Sequence, residues 1–152
     1  MTSFTWIESA RLRRLAVAVV AATIIAVGLS VSAAGPWPPL RQGMWEISRV
    51  MQAPGGGPPK TVSTKRCMNP ADEWDRQHAS LTKGGCRISP VTKTGNTYTF
   101  TASCNVMGTS SNTTSTIVAE GDSAYTLTVD GQTDGSPTKE KATGTRIGDC
   151  GR

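Results

Sequence analysis

Enzymatic motifs are scarce in this sequence of 152 residues. It has a single histidine, His78, and it lacks a Gly-x-Ser-x-Gly elbow, a Ser-x-x-Lys motif and a phosphate-cradling loop. It also lacks a Cys-x-x-Cys pair of the kind that holds zinc. The sequence therefore predicts no catalytic, cofactor-binding or metal-ligating residues.

Runs of basic residues are absent as well, although the formal net charge is +5. Nucleic-acid-binding proteins usually cluster their lysines and arginines into a patch or stripe. In this chain the basic residues after the N-terminal segment are scattered: Arg49, Lys60, Lys65, Arg66, Arg76, Lys83, Arg87 and Lys93. We expect a mildly basic, solvated surface and no nucleic-acid partner.

No charge occurs between Leu15 and Ala34, and this gap marks a targeting segment. A basic cluster at residues 11–14 precedes the apolar stretch, and small residues close it, which is typical of a secretory signal peptide. Residues 1–34 are therefore interpreted as a signal peptide cleaved near Ala34. The apolar stretch is also long enough for a retained N-terminal anchor, in which case residues 15–34 are the only membrane contact.

The residues after this segment are expected to be exported. Residues 35–40 form a proline-rich lead-in, and residues 41–152 form one β-rich domain. All four cysteines lie in this exported part, where the compartment is oxidising. We expect a periplasmic or secreted protein stabilised by two disulfides.

Alternating apolar and polar residues predict a mainly β fold. Trp45 and Ile47 alternate with polar residues, and Tyr98, Phe100 and Ala102 do the same later in the chain. Turn signals separate several such segments. This spacing predicts a single antiparallel meander sheet, curved or partly closed into a barrel.

One helix is predicted across this sheet. Asn69 is a good N-cap, Pro70 fits the first helical position, and Trp74, His78 and Leu81 make a narrow apolar stripe. Glycines after Lys83 end the helix.

The four cysteines allow three pairings. A two-residue turn at Gly95-Asn96 would place Cys104 opposite Arg87 and point Cys86 to the other face, which disfavours a Cys86–Cys104 bond. Two pairings remain open: Cys67–Cys86 with Cys104–Cys150, and Cys67–Cys104 with Cys86–Cys150. We expect the first, because it closes the loop around the helix and ties the C-terminal strand to the hairpin.

Four short motifs resemble a known family. They are a Gly-x-Trp-Glu strand (Gly43, Trp45, Glu46), a Cys-x-x-Pro helix start (Cys67, Pro70), a Gly-Cys pair before a hairpin (Gly85, Cys86), and a terminal Gly-Asp-Cys (Gly148, Asp149, Cys150). In this order, over Arg41 to Cys150, they resemble the secreted bacterial domain-of-unknown-function family three-six-one-seven. The resemblance implies an exported envelope protein and supplies no activity, ligand or catalytic residue.

The leading hypothesis is a non-enzymatic binding or interaction module of the cell envelope, with a small apolar ligand or an envelope protein as its partner. A ligand cavity is expected to be lined by Trp45, Tyr98, Phe100 and Tyr125. Two alternatives remain: a small hydrolase-like periplasmic enzyme that uses His78 with a carboxylate, and a membrane-tethered structural component of the envelope.

Overall fold

A computed structural model describes residues 36–52 and 57–151. The predicted signal segment lies outside the described residues. The elements, in chain order, are β1 (Gly43–Met51), β2 (Lys60–Met68), α1 (Pro70–Lys83), β3 (Arg87–Ile88), β4 (Thr92–Thr94), β5 (Thr97–Val106), β6 (Thr109–Glu120), β7 (Ala124–Thr133) and β8 (Ser136–Gly148).

The strands form one antiparallel sheet, as the sequence predicts, in the order β2-β1-β8-β7-β6-β5-β3, with β4 also paired to β5. Strands β5 to β8 are a meander, and the β1–β2 hairpin joins it beside β8, so that the first strand pairs with the last. Over the described residues the two edges of the sheet do not pair with each other. The sheet is therefore open and not a closed barrel.

The predicted alternation decides which side chains face the core. Strand pairing places Ile47 beside Gly144, Gly144 beside Tyr125, and Leu127 beside Ile117. The face that carries these residues also packs against α1, and we call it the inner face. Gly144 is required beneath Tyr125, because a Cβ at this position would overlap the tyrosine ring.

Helix α1 begins and ends as its sequence predicts. The Asn69 side chain accepts a hydrogen bond from the backbone N–H of Ala71, and Gly84 caps the other end. Trp74 is buried against Tyr125, with ring centroids 5.2 Å apart. Fourteen residues span about 21 Å, so the helix carries the chain from the β2 edge of the sheet to the β3 edge.

The proline-rich lead-in contributes to the core. Trp37 and Leu40 are buried, and the Trp37 ring packs on Trp74 at 5.5 Å between centroids. The Trp37 Nε1–H donates a hydrogen bond to Asp75 Oδ1 at 2.6 Å. A segment that reads as a linker is thus docked on α1.

Both expected disulfide pairs are wrong: the structure joins Cys67 to Cys150 and Cys86 to Cys104. Cys67 and Cys86 lie at opposite edges of the sheet, because α1 crosses it between them. Strands β6 and β7 separate Cys104 from β8. At about 4.8 Å per strand, neither expected pair is within the reach of a disulfide.

The Cys86–Cys104 bond, which the two-residue turn disfavours, forms because the hairpin contains a bulge. Near its turn Thr92 pairs with Thr99, as a two-residue turn requires, but further along Ile88 pairs with Ala102. Four residues on one side (92 − 88) therefore match three on the other (102 − 99), and Arg87 faces Ser103 instead of Cys104. This shift brings Cys86 across from Cys104, with their Cα atoms 4.1 Å apart.

The second disulfide joins edge strand β2 to the segment that follows β8. Cys67 on β2 and Gly148 on β8 both pair with Met44 of β1, so all three residues lie in one row across the strands. Two residues after Gly148, Cys150 returns over β1 to reach Cys67. The two disulfides are consistent with an oxidising extracellular or periplasmic location.

Candidate functional site

The four aromatic residues expected to line a cavity separate into two groups. Trp45 and Tyr98 are 0% and 3% exposed and fill the core. Tyr125 and Phe100 each border open space between α1 and the sheet, in two different pockets. Two of the four expected lining residues are therefore part of the packed core, and the open space lies further along the inner face.

The larger pocket is a groove of about 550 Å³ between α1 and strands β1, β2, β7 and β8. Its apolar side chains are Ile47, Val62, Met68, Trp74, Tyr125, Leu127 and Ala142. Its polar side chains are Arg49, Thr64, Arg66, Glu73, Arg76, Gln77 and Ser80. This volume falls within the range of about 300–1,000 Å³ that small-molecule sites occupy.

A second pocket of about 190 Å³ adjoins the groove. The two share Arg49, Trp74, Gln77 and Leu127. The smaller one continues over the central strands, where Phe100, Ile117 and Val129 line it together with Leu81 of α1. The space under the helix therefore reaches from the exposed edge strand β2 to the middle of the sheet.

Three arginines and two carboxylates border this space. Glu73 of α1 forms ion pairs with two arginines. Its Oε1 lies 3.1 Å from Nη2 of Arg66 on β2, and its Oε2 lies 2.7 Å from Nη2 of Arg76 on α1. Arg49 of β1 pairs with Glu140 of β8 at 2.8 Å. The Arg66–Glu73 contact is an ion pair between the edge strand and the helix, across one side of the groove.

Two groups at the groove have shifted pKa values, Glu73 and Tyr125. The hydrogen bond from Arg76 is the main reason that the pKa of Glu73 lies below its ordinary value, so this carboxylate is ionised at neutral pH. Burial raises the pKa of the Tyr125 phenol, which keeps that hydroxyl neutral. The groove thus presents an ionic rim and a neutral floor.

His78, the candidate general base of the enzyme hypothesis, lies between two aromatic rings. Its imidazole packs edge-to-face on Trp37 at 4.6 Å and on Phe100 at 4.4 Å between centroids. Its buried Nε2 makes no hydrogen bond with any described residue. Asp75, one turn earlier on the helix, instead accepts the hydrogen bond of Trp37. The base–carboxylate pair that the enzyme hypothesis requires is not assembled in this arrangement.

Burial also lowers the pKa of His78, and the negative charge of Asp75 partly opposes that shift. The neutral imidazole is therefore the form that fits between the two rings.

Sequence reasoning missed the arginines of the groove, which it treated as scattered surface charges. The signal that could have identified them is their position in the alternation of each strand. Arg49 continues the inward series of Trp45 and Ile47, and Arg66 lies two residues before buried Met68. A charged residue in the apolar phase of a strand marks a site where the inner face opens to solvent.

Two further features of the described residues concern metal binding and membrane crossing. In residues 36–52 and 57–151, histidine, cysteine and carboxylate side chains nowhere come together in a group of three that could hold a metal ion. Helix α1, the one helix of that part of the chain, is too short and too polar to cross a membrane.

Comparison with known proteins places the chain at the family level. No curated protein and no solved structure matches it. The model of one family, described as a protein of unknown function (DUF3617), matches residues 40–150. This match covers all the described strands, helix α1 and the four cysteines. The chain belongs to the DUF3617 family.

Proposed function

We propose that this protein is an exported, non-enzymatic binding module of the cell envelope that holds a small apolar ligand in the groove under α1. The observation that supports this function is the open space of about 550 Å³ with seven apolar side chains in its lining, next to a core of buried aromatic and aliphatic residues. Apolar surface left accessible in a cleft is what a hydrophobic ligand covers on binding.

The arrangement of α1 supports a ligand site at this position. Trp74 fixes the first half of the helix on Tyr125, and Asn69 caps that end. Further along, the side chains of Gln77 and Ser80 border the groove and leave space above Leu127. The helix therefore packs on the sheet through Trp74 and His78 and leaves the groove open beside Gln77 and Ser80.

Export is part of the proposal and has its own support. The sequence predicts a signal peptide over residues 1–34, and the two disulfides suit an oxidising compartment. The intact mass of the exported protein distinguishes the alternatives: a mature start near residue 35 is expected for a signal peptide, whereas an uncleaved N-terminus would favour the membrane-tethered alternative.

Ligand binding can be tested with a neutral apolar dye, N-phenyl-1-naphthylamine, whose fluorescence rises in an apolar environment. We expect saturable binding to the purified exported protein. Thr64→Trp should weaken it by at least about tenfold, because this exposed β2 residue lines the groove and a large ring there would occupy the space.

Ser63→Trp is the matched control. Ser63 is the neighbouring exposed residue of the same strand, and its side chain points to the opposite face of the sheet. We expect it to leave dye binding unchanged. Absence of saturable binding, or equal effects of the two substitutions, would contradict a ligand site in the groove. Extraction of the protein purified from its native compartment, followed by mass spectrometry, would identify a retained ligand.

A further inference from the structure

We infer that the ligand is an amphiphile with an anionic headgroup, a carboxylate or a phosphate monoester, and that Arg66 and Arg76 bind this headgroup at the rim of the groove. The inference rests on the proposed function, since it assigns the chemical class of the ligand in the same groove. It is carried by the charge and position of the side chains that border the apolar floor.

The charge balance along the lining favours an anion. The two pockets together contain three arginines, Arg49, Arg66 and Arg76, against two carboxylates, Glu73 and Glu140. Arg49 is matched one to one by Glu140. Arg66 and Arg76 share one ion-pair partner, Glu73, and Asp72, which lines neither pocket, adds a negative charge near Arg76. Among the side chains that line the groove, the unmatched positive charge therefore lies at Arg66 and Arg76.

The geometry of this cluster leaves donors for a ligand. Each guanidinium has five N–H donors, and Arg66 and Arg76 each use one terminal nitrogen, Nη2, toward Glu73. The two side chains are 48% and 68% exposed, so their remaining donors are accessible from the groove mouth. A planar fork of this kind matches carboxylate and phosphate oxygens.

A simple anion would contact the arginines and leave the apolar side chains beside them uncovered. Arg66 on β2 is two residues from Met68 and two from Thr64, and Arg76 on α1 is two residues from Trp74; all of these line the same groove. A headgroup on the arginines thus places an attached chain over Trp74 and Leu127, toward the smaller pocket beneath Leu81. The occupant that satisfies both parts has an acid at one end and an apolar chain at the other.

Glu73 has a defined role in this arrangement. It holds Arg66 of the edge strand and Arg76 of the helix together. It also competes with the ligand anion for the same guanidinium donors. Removal of its charge should therefore strengthen anion binding, whereas removal of the arginines should weaken it.

The test is displacement of N-phenyl-1-naphthylamine by four molecules with the same ten-carbon chain: decanoate, decyl phosphate, decanol and decylamine. We expect decanoate and decyl phosphate to displace the dye at concentrations at least about tenfold below decanol, with decylamine the weakest. In Arg66→Gln/Arg76→Gln the preference for the acids should disappear while dye binding persists. Glu73→Gln should tighten decanoate and leave decanol unchanged.

Arg87→Gln is the matched control, because Arg87 is an exposed arginine that does not line either pocket. It should leave all four displacement curves unchanged. If decanol competes as well as decanoate, or if the double substitution retains the acid preference, the headgroup inference is overturned while the groove remains a ligand site. If the dye itself does not bind, the proposed function fails first. Circular dichroism of each variant verifies that the sheet is retained.

Discussion

At the scale of single residues, His78 is a group whose chemistry is determined by its neighbours. The rings of Trp37 and Phe100 pack edge-to-face on the imidazole, and its Nε2 has no hydrogen-bond partner among the described residues. A protonated imidazole would place a charge, with an unsatisfied Nε2–H, against two apolar rings. The folded protein therefore favours the neutral form, although Asp75 opposes this preference.

This environment predicts a pH dependence of stability. The pKa of His78 is lowered in the folded state from its ordinary value of 6.5, so the unfolded chain binds a proton that the folded chain does not. The free energy of unfolding should therefore fall as the pH decreases through 6.5 toward the lowered pKa, and level off below it. Urea unfolding at a series of pH values between neutrality and pH ~5 measures this slope.

His78→Phe is the control, because it keeps an aromatic ring between Trp37 and Phe100 and removes the titration. Since the sequence has one histidine, the slope should disappear in this variant. The native pKa can be read directly from the single imidazole resonance in an NMR titration. A native pKa at or above 6.5, or the same slope in the variant, would contradict the burial argument.

The sequence predicted correctly which apolar side chains face the core, but it did not predict the charged side chains that share this face. Alternation placed Trp45, Tyr98 and Phe100 on the face of the core, as observed. Arg49 and Arg66 occupy the same phase, which indicates an opening in the inner face, but the sequence does not reveal that α1 covers this opening to form a groove. The groove depends on the position of the helix, which is a tertiary property.

At the scale of elements, α1 is determined by local signals. Asn69, Pro70 and the acidic first turn specify its start, and the glycines after Lys83 specify its end. Such signals act over one turn of chain and need no information about the rest of the fold. The helix was therefore predictable with its boundaries.

The cap of α1 makes a quantitative prediction. Asn69→Ala should lower the free energy of unfolding by about 1 kcal/mol, because the backbone N–H of Ala71 loses its side-chain acceptor. Asn69→Ser should restore most of this stability, since serine caps nearly as well. Urea unfolding with the disulfides intact measures both, and equal stability of the alanine and asparagine proteins would contradict the assigned cap.

The β3–β5 pairing was not predictable in the same way. Ser89 contacts Thr101 twice, through its backbone N–H at 2.9 Å and through its hydroxyl, which accepts from the Thr101 N–H at 2.9 Å. Pro90 and Val91 then both face Phe100, which adds one residue to this side of the hairpin. A single inserted residue exchanges the two faces, so the turn alone gave the wrong partner for Cys86.

At the scale of the whole molecule, the two disulfides fix the two edges of an open sheet. Cys86–Cys104 joins the chain that leaves α1 to β5, and Cys67–Cys150 joins edge strand β2 to the segment after β8. The outermost strand of an open sheet is paired on one side only. The C-terminal cysteine therefore stabilises the hairpin that provides one wall of the groove.

The separation of the cysteines along the chain predicts which bond matters more. Cys67 and Cys150 are 83 residues apart, whereas Cys86 and Cys104 are 18 apart. Because a longer loop restricts the unfolded chain more, chain-entropy estimates give ~4.5 and ~3.2 kcal/mol for the two bonds. Cys67→Ser/Cys150→Ser should therefore lower the free energy of unfolding by about 1 kcal/mol more than Cys86→Ser/Cys104→Ser.

The location of the loss should differ as well, and hydrogen exchange can measure it. Without Cys67–Cys150, backbone amides of β1 and β2 should exchange faster, because the β1–β2 hairpin is then held only by β8 and the helix. Without Cys86–Cys104, faster exchange should appear in β3 and β5. Dye binding should fall in the first variant and persist in the second, since β2 lines the groove and β3 does not. The reverse pattern would show that the C-terminal disulfide does not support the ligand site.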